Sequence, residues 1–214
     1  MRLARFVFLC IMLLIIVGCS RLTGEGFPAG VLYQDEFEAD TGNWSLESDL
    51  EASANYTNGQ LQLHITAPNL VTWVELQERQ FDDFVLEVDA SQIGGSSDNS
   101  YGVIFRVQDP SAYYIFEISG DAYYAFKRLD KVEGGRWVWL TEDWLESAAI
   151  RPGIATNRIK IIASGSSFVF YVNGQQVAQA EDSTYSSGAI GLDAGSFHQA
   201  DVQIAFDNLI IRKP

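Results

Sequence analysis

Cysteine is almost absent from this chain of 214 residues: the two that occur, Cys10 and Cys19, both lie near the amino terminus. Beyond Cys19 the sequence therefore offers no disulfide, no thiol nucleophile and no thiolate ligand for a metal. Its stability has to come from a packed hydrophobic core, and a chain of this length is sufficient for one such domain.

Basic residues are also scarce. Lysine and arginine number 14 against 28 aspartates and glutamates, which gives a formal net charge of −14 at pH 7. A nucleic-acid-binding protein needs a basic surface that neutralises phosphates, so this composition argues against nucleic acid as a partner. The acidic surface favours solubility, and weak calcium binding by surface carboxylates is the less favoured alternative.

Sustained helical periodicity is missing as well. One helical turn is predicted within residues 141–151, where Pro152 would end it. Elsewhere, runs rich in β-branched and aromatic residues alternate with turn residues, and Asn58-Gly59 and Asn173-Gly174 predict tight hairpins. The predicted strands are residues 31–37, 43–46, 60–65, 71–76, 83–90, 101–108, 112–118, 122–129, 136–140, 158–163, 167–172, 175–180, 188–193 and 202–211. This pattern predicts an all-β fold, a two-sheet antiparallel sandwich.

The amino terminus contains a targeting signal. Arg2 and Arg5 precede an apolar run at residues 6–18, which is shorter than the roughly 20 residues of a membrane-spanning helix. The run ends in "IVGC", where the cysteine is Cys19, and this resembles a bacterial lipoprotein signal. The resemblance implies cleavage before Cys19 and a diacylglycerol on its thiol; the alternative is an uncleaved membrane anchor. Both place the remaining chain outside the cytoplasm, and the first predicts lipid anchoring at the bacterial cell membrane.

Three segments follow from these patterns. Residues 1–18 are predicted to be a lipoprotein signal peptide, and residues 19–30 are predicted to contain the lipidated cysteine and a flexible tether with three glycines and a proline. Residues 31–214 form the β-sandwich domain. The only predicted contact with a membrane is the lipid anchor.

The order of several short motifs resembles a known superfamily. "NSYGVIFR" at residues 99–106 and the hairpin "FYVNGQ" at 170–175 are the most specific of them. The chain resembles the concanavalin A-like lectin/glucanase superfamily, in its laminin-G-like and 3-keto-disaccharide hydrolase branch, over about residues 31–212. The resemblance implies a concanavalin A-like jelly roll. It leaves function open, because this fold is used by lectins, glucanases and adhesion modules.

Catalytic patterns of this superfamily are incomplete here. Its glucanases use Glu-x-Asp-x-x-Glu, and the resemblance places Glu87 and Asp89 in the first two positions but Gln92 in the third. An amide cannot donate the proton that a departing sugar needs. The hydrolase branch implies a metal-holding cluster, but the spacing of His64 and His198 does not suggest one. No catalytic residue is assigned, and the sequence favours a protein that is not an enzyme.

Consecutive predicted strands instead combine aromatic and charged residues that suit a sugar. Aromatic rings offer flat apolar area to sugar C–H groups, and charged side chains form directional hydrogen bonds with hydroxyls. The alternative is purely structural: alternation buries one tyrosine of each Tyr-Tyr pair, and Arg106 pairs with Glu117 across a hairpin. The predicted ligand-binding residues are Arg106, Tyr114, Glu117, Tyr124, Lys127, Trp137 and Trp139.

The sequence also offers a weak candidate for a metal. Asp35 and Asp207 flank the first and last predicted strands, where carboxylates could hold a structural calcium ion; solvated strand-end acids are the alternative. No other cofactor is predicted.

Taken as a sequence, the chain is therefore predicted to be a lipid-anchored, extracytoplasmic and non-catalytic binding module. Its partner is a carbohydrate or a polymer of the cell envelope. The alternatives are a hydrolase of 3-keto-disaccharides or related glycosides, and a structural or adhesion module of the envelope.

Overall fold

The computed structural model describes residues 27–132 and 135–214, and within those ranges the regular structure is entirely strand. Two antiparallel sheets contain fifteen strands. The eight-stranded sheet contains β1 (Val31–Asp35), β2 (Ala52–Thr57), β3 (Gln60–Ile65), β5 (Phe84–Gly94), β11 (Thr156–Ser164), β12 (Ser167–Val172), β13 (Gln175–Glu181) and β15 (Val202–Arg212). The seven-stranded sheet contains β4 (Val71–Glu75), β6 (Asn99–Asp109), β7 (Ala112–Ile118), β8 (Tyr123–Asp130), β9 (Arg136–Trp139), β10 (Leu145–Glu146) and β14 (Ala189–Ser196).

The strand orders place distant segments side by side. The eight-stranded sheet runs β13-β12-β11-β5-β15-β3-β2, with β1 also paired to β15. The seven-stranded sheet runs β10-β8-β7-β6-β14-β4, and β9 pairs with β8. In this second sheet β4 therefore forms one edge, while β9 and β10 form the other.

The core lies between the two sheets and is filled by phenylalanine rings. Phe116 of the seven-stranded sheet stacks on Phe170 of the eight-stranded sheet at 4.4 Å between ring centroids, and Phe126 lies 4.5 Å from the same ring. Strict alternation along the strands supplies these inward side chains. Trp44 is buried in the same core. We call the surface of each sheet that is turned away from the core its outer face.

Both hairpins predicted from Asn-Gly are confirmed. Asn58 and Gly59 join β2 to β3 with φ values of 56° and 71°, and Asn173 and Gly174 join β12 to β13 with 50° and 80°. Two successive positive φ angles match the twist of the flanking strands, and asparagine followed by glycine tolerates them best.

Other local predictions were wrong. The predicted strand at 43–46 is only a single bridge between Trp44 and Leu76, whereas β2 was not predicted. β2 is an edge strand with one buried side chain, Ala54, so its sequence carries little hydrophobic alternation. The predicted helical turn at 141–151 is absent, and β10 instead adds a short strand beside β8.

The predicted signal peptide and the lipidation site Cys19 lie outside the described residues and remain predictions, as does most of the tether. In the part of the chain that the structure covers, no helix is both long and apolar enough to span a membrane.

Candidate functional site

Arg106 was predicted to contact a ligand, and the structure corrects that prediction. Its side chain is only 1 % exposed and lies inside the sandwich, 5.0 Å above the ring of Phe168. The guanidinium donates hydrogen bonds to three backbone carbonyl oxygens, those of Gly165 and Tyr185 at 2.8 Å and that of Asp82 at 3.1 Å. Arg106 therefore fastens three chain segments together at one end of the core.

A β-bulge explains why alternation misplaced Arg106. Phe105 points into the core, so the next residue would ordinarily point to the outer face. Arg106 instead has a φ of 51°, and the register between β6 and β7 shifts between Phe105 and Asp109. A bulge of this kind re-aims the extra side chain, here back towards the core.

Two tyrosines on the predicted binding list are also core residues. Tyr114 donates its hydroxyl proton to Asp182 and its ring lies 5.0 Å from that of Phe168. Tyr124 is buried and packs against Phe116. In each Tyr-Tyr pair it is the first ring, Tyr113 or Tyr123, that lies on the outer face, so the predictions for Tyr114 and Tyr124 were wrong.

The remaining four predicted residues are brought together on the outer face of the seven-stranded sheet. Three tryptophan rings surround the ammonium of Lys127, with centroids 4.9 Å away for Trp137, 5.4 Å for Trp139 and 5.2 Å for Trp144. We call these three rings the tryptophan cage. Trp137 and Trp139 are nonetheless 44 % and 41 % exposed, whereas the Lys127 side chain is 13 % exposed. The cage thus encloses the ammonium and leaves two large apolar rings in contact with solvent.

Strand register builds this cage. Lys127 pairs with Trp139 and Leu129 pairs with Trp137 between β8 and β9, so these side chains share one face. Trp144 precedes β10, which pairs with β8 next to Lys127. Cation–π contacts are stronger where water is excluded, which is the situation of this ammonium.

Glu117 forms the base of the cage. Its carboxylate lies 2.5 Å from the Lys127 ammonium and accepts a hydrogen bond of 2.7 Å from the Ser100 hydroxyl. The side chain is only 3 % exposed. Glu117 pairs with the small Ala125 on β8, which leaves room for Lys127 to reach it diagonally. A buried pair of this kind is tolerated because each charge compensates the other.

Asp193, which sequence reasoning missed, is a second carboxyl group on this face. It is fully buried, and neither of its oxygens has a hydrogen-bond partner among the described residues. It pairs with Gly102 on β6, and Gly102 pairs in turn with Glu117 on β7. Burial, reinforced by the charge of Glu117, raises the pKa of Asp193 well above its ordinary value. A carboxyl group that favours its protonated form therefore lies on the same face as an ion-paired carboxylate.

The sequence around Asp193 contains a pattern that could have identified it as a buried acid. It is the one acid in the apolar strand "AIGLDAGS", and alternation places it on the same face as Gly191 and Gly195. An acid flanked by glycines on a strand that buries every residue is unusual, because charged residues are almost never fully buried without a partner.

An aromatic row extends across the same face. The ring of Tyr113 lies 5.8 Å from Trp73 on β4 and 6.0 Å from Trp137 on β9. Burial raises the pKa of the Tyr113 hydroxyl, and the charges of Asp193 and Glu117 raise it further. The hydroxyl therefore stays protonated near both acids.

Two open cavities flank the row. One, of about 330 Å³, lies along β4 beside Trp73. The other, of about 250 Å³, is lined by Ser119, Asp121, Tyr123, Trp144 and Phe197, next to the tryptophan cage. A concave surface with aromatic walls and a few convergent polar groups is the usual form of a small-ligand site.

Asp35 and Asp207 were predicted as calcium ligands. The Asp35 carboxylate accepts hydrogen bonds from the Tyr33 hydroxyl, the Trp44 indole and the Phe37 amide. Burial raises the pKa of Asp207. Across residues 27–132 and 135–214 no group of three or more histidine, cysteine, aspartate or glutamate side chains is placed to hold a metal. The structural calcium ion stays a prediction.

Glu87 and Asp89, the two acids of the incomplete glucanase pattern, lie on the outer face of the other sheet. Arg158 pairs with both, at 3.1 Å and 3.0 Å. They are thus solvated partners in an ion-pair network, as an ordinary strand with one wet face predicts.

Comparisons with known proteins agree with this fold. A family model described as a 3-keto-alpha-glucoside-1,2-lyase-like domain matches residues 33–212. No curated protein matches the chain. Among solved structures, carbohydrate-binding module CBM66 from Bacillus subtilis is similar with a TM-score of 0.62 at 17% identity, over 80% of this chain and 96% of that one.

Two glucanase structures are also similar. The Bacillus licheniformis β-glucanase has a TM-score of 0.59 at 13% identity, over 87% of this chain and 100% of that one. The Bacteroides ovatus mixed linkage glucan GH16 protein, in complex with a G4G4G3G product, has a TM-score of 0.62 at 10% identity, over 85% and 100%. At such identities the likeness concerns the fold alone, and the predicted concanavalin A-like jelly roll is confirmed.

Proposed function

The chain belongs to the 3-keto-alpha-glucoside-1,2-lyase-like domain family, and from that premise we propose that it binds carbohydrate, without cleaving it, on the outer face of the seven-stranded sheet. One observation carries the proposal: two tryptophan rings that are more than 40 % exposed are held in place around a buried ion pair. The fold it shares with a carbohydrate-binding module and with glucanases is consistent with this ligand class.

Solvent-exposed aromatic rings suit a sugar because they offer flat apolar area to its C–H groups. An exposed apolar patch also needs an explanation, since it favours association over solubility. Trp137 and Trp139 are fixed by the Lys127 ammonium, so little side-chain entropy is lost when a ligand stacks on them. The cage is therefore a preorganised platform.

The burial of both acids favours binding over cleavage. Glu117 is already engaged by Lys127 and Ser100, and Asp193 has no exposed surface. A catalytic acid has to come within hydrogen-bond reach of the bond that breaks. In this arrangement the surface offered to a ligand is aromatic.

A glycan array tests the proposal with matched variants. Trp139→Ala should lower affinity for the bound glycan about tenfold or more, because a central aromatic anchor commonly contributes more than ~1 kcal/mol. Tyr171→Ala is the control, since that ring lies near Lys160 on the outer face of the other sheet. Absence of binding by the wild type, or equal binding by Trp139→Ala, would contradict the proposal.

A second candidate function is cleavage of 3-keto-α-glucosides, the substrates that the family description names. The observation that favours it is that Asp193, whose pKa is raised by burial, lies on the same face as the ion-paired Glu117. A carboxyl group that favours its protonated form near an ion-paired carboxylate is an arrangement suited to acid–base catalysis. In a 1,2-elimination, a base removes the proton next to the ketone and an acid protonates the departing oxygen.

This candidate has its own test. Wild-type protein is incubated with a 3-keto-α-glucoside, and release of the departing sugar is followed. If the candidate holds, Asp193→Asn lowers the rate about 100-fold, because an amide cannot supply the proton. If the wild type releases no sugar, this second candidate function is wrong.

A further inference from the structure

The cavity beside Trp73 is separate from the tryptophan cage, and we propose that it is a second carbohydrate station. It is lined by Ser45, Glu47, Val71, Thr72, Trp73 and Glu75, and we call it the β4 groove. The ligand is then an oligosaccharide of neutral or amino sugars, long enough to reach both stations. This inference rests on the proposed function.

Hydrogen bonds fix the wall of the β4 groove. β4 is the edge strand of its sheet, and the segment around Ser45 runs alongside it. The Ser45 amide donates to the Glu75 carbonyl at 3.0 Å, and the Glu75 amide donates to the Ser45 hydroxyl at 2.8 Å. A groove whose sides are bonded to each other is preformed, as ligand sites usually are.

The lining combines an aromatic ring with polar groups. The Trp73 ring is half-buried and packs against the Tyr113 ring at 5.8 Å, while neighbouring Val71 is 42 % exposed. Hydroxyl groups of Ser45 and Thr72 and two carboxyl groups complete the surface. This is the combination that a sugar ring needs: an apolar platform beside hydrogen-bonding groups.

Charge narrows the class of sugar. Glu47 is exposed, and Glu75 is half-buried with a pKa that burial raises. None of the described side chains that line the β4 groove is basic. A uronic acid, sulfate or phosphate would meet like charge here, whereas sugar hydroxyls and ammonium groups can donate to carboxylates. The net charge of −14 also disfavours the approach of an anionic sugar.

The position of the groove sets the length of the ligand. From β4 to β9 the order is β4, β14, β6, β7, β8 and β9. At about 4.8 Å between neighbouring strands, the backbones of β4 and β9 lie roughly 24 Å apart across the sheet. Their side chains reach towards each other: the Tyr113 ring lies 5.8 Å from Trp73 and 6.0 Å from Trp137, so the rings of Trp73 and Trp137 are at most about 12 Å apart. A single sugar ring is too short to contact both. A longer sugar chain that is already bound at the tryptophan cage contacts the β4 groove intramolecularly. Its affinity is therefore higher than that of a sugar that contacts the cage alone.

An array of neutral, amino and uronic-acid sugars, each from monosaccharide to hexasaccharide, tests the inference on the full chain. The wild type should bind neutral or amino hexasaccharides about tenfold more tightly than the matching monosaccharides. Trp73→Ala should abolish this gain and leave monosaccharide binding unchanged. Trp139→Ala should weaken binding at every length.

Trp73→Ala removes a packing contact with Tyr113 and could lower stability, so a second variant tests the β4 groove without changing the packing. Glu47 is exposed, so Glu47→Gln should leave stability unchanged and lower only the affinity for long chains. Glu51→Gln, another exposed acid that is not part of the groove, is the control.

The possible failures are distinguishable. If the wild type binds no oligosaccharide of any class, both the proposed function and the second station are wrong. If it binds with no dependence on length, or prefers uronic acids, or if Trp73→Ala and Glu47→Gln bind hexasaccharides as the wild type does, only the second station is wrong.

Discussion

The outer faces of the two sheets contain the same residue types, but on one face the ion pair is enclosed and on the other it is exposed to solvent. On the seven-stranded sheet Lys127 lies 2.5 Å from Glu117 inside the tryptophan cage, with side chains 13 % and 3 % exposed. On the eight-stranded sheet Lys160 lies 3.7 Å from Glu87 and 5.8 Å from the ring of Tyr171, with side chains 39 % and 23 % exposed. Both faces thus combine a lysine, a glutamate and an aromatic ring.

Water accounts for the difference. Glu87 shares its charge among Arg158, Lys160 and Arg212, all partly exposed, so each contact is screened by solvent. The aromatic rings around Lys127 exclude water, so its interaction with Glu117 is stronger and loss of either partner is more damaging. The pairing of lysine with glutamate therefore does not identify a site; the aromatic enclosure of the pair does.

The largest expected effect is on Lys127. Lys127→Met keeps the length of the side chain and removes its charge, which leaves Glu117 buried without a counter-charge and should lower the free energy of unfolding by about 3–5 kcal/mol. The matched change on the other face, Lys160→Met, should cost less than about 1 kcal/mol because Glu87 keeps two other partners. Equilibrium unfolding in urea measures both.

Equal losses for the two variants would break the comparison between the faces. A small loss in both would mean that water reaches the Lys127–Glu117 pair as freely as it reaches Glu87. A large loss in both would mean that the exposed network is as tightly coupled as the enclosed one.

Much of the fold could be predicted from local patterns. Alternation in strands such as "SFVFYV" at 167–172 and the two Asn-Gly turns specify antiparallel strands with one buried face. The edge strand β2 was not predicted because it is held mainly by hydrogen bonds to β3 and buries only Ala54. Backbone hydrogen bonds do not produce a hydrophobic pattern in the sequence.

The site was harder to predict because it depends on register. Arg106 is one extra residue in β6 relative to β14, and this bulge turns its side chain inward. Nothing in "VIFRVQD" predicts the bulge. Alternation alone could not say which tyrosine of each pair is buried. Glu117, Lys127, Trp137 and Trp139 do lie together on one outer face, and their role in binding stays a prediction. The unpartnered Asp193 was recognised only when the strand order placed it beside Gly102.

A pH-dependent effect, on Asp193, sharpens the comparison. The pKa of Asp193 is raised in the folded state, so between its unfolded value and its folded value the folded protein binds more protons than the unfolded one. Its contribution to stability is therefore greatest in acid and declines as pH rises through that window, by up to about 1.4 kcal/mol per pH unit. Asp193→Asn has no proton to lose, so the variant should match the wild type near pH 4 and exceed it increasingly at higher pH. Thermal unfolding from pH 4 to pH 8 measures this, at about 2–4 °C in Tm for each kcal/mol. All other acids are common to both proteins, so parallel curves would mean that burial does not raise the pKa of Asp193 and that the two faces do not differ in this respect.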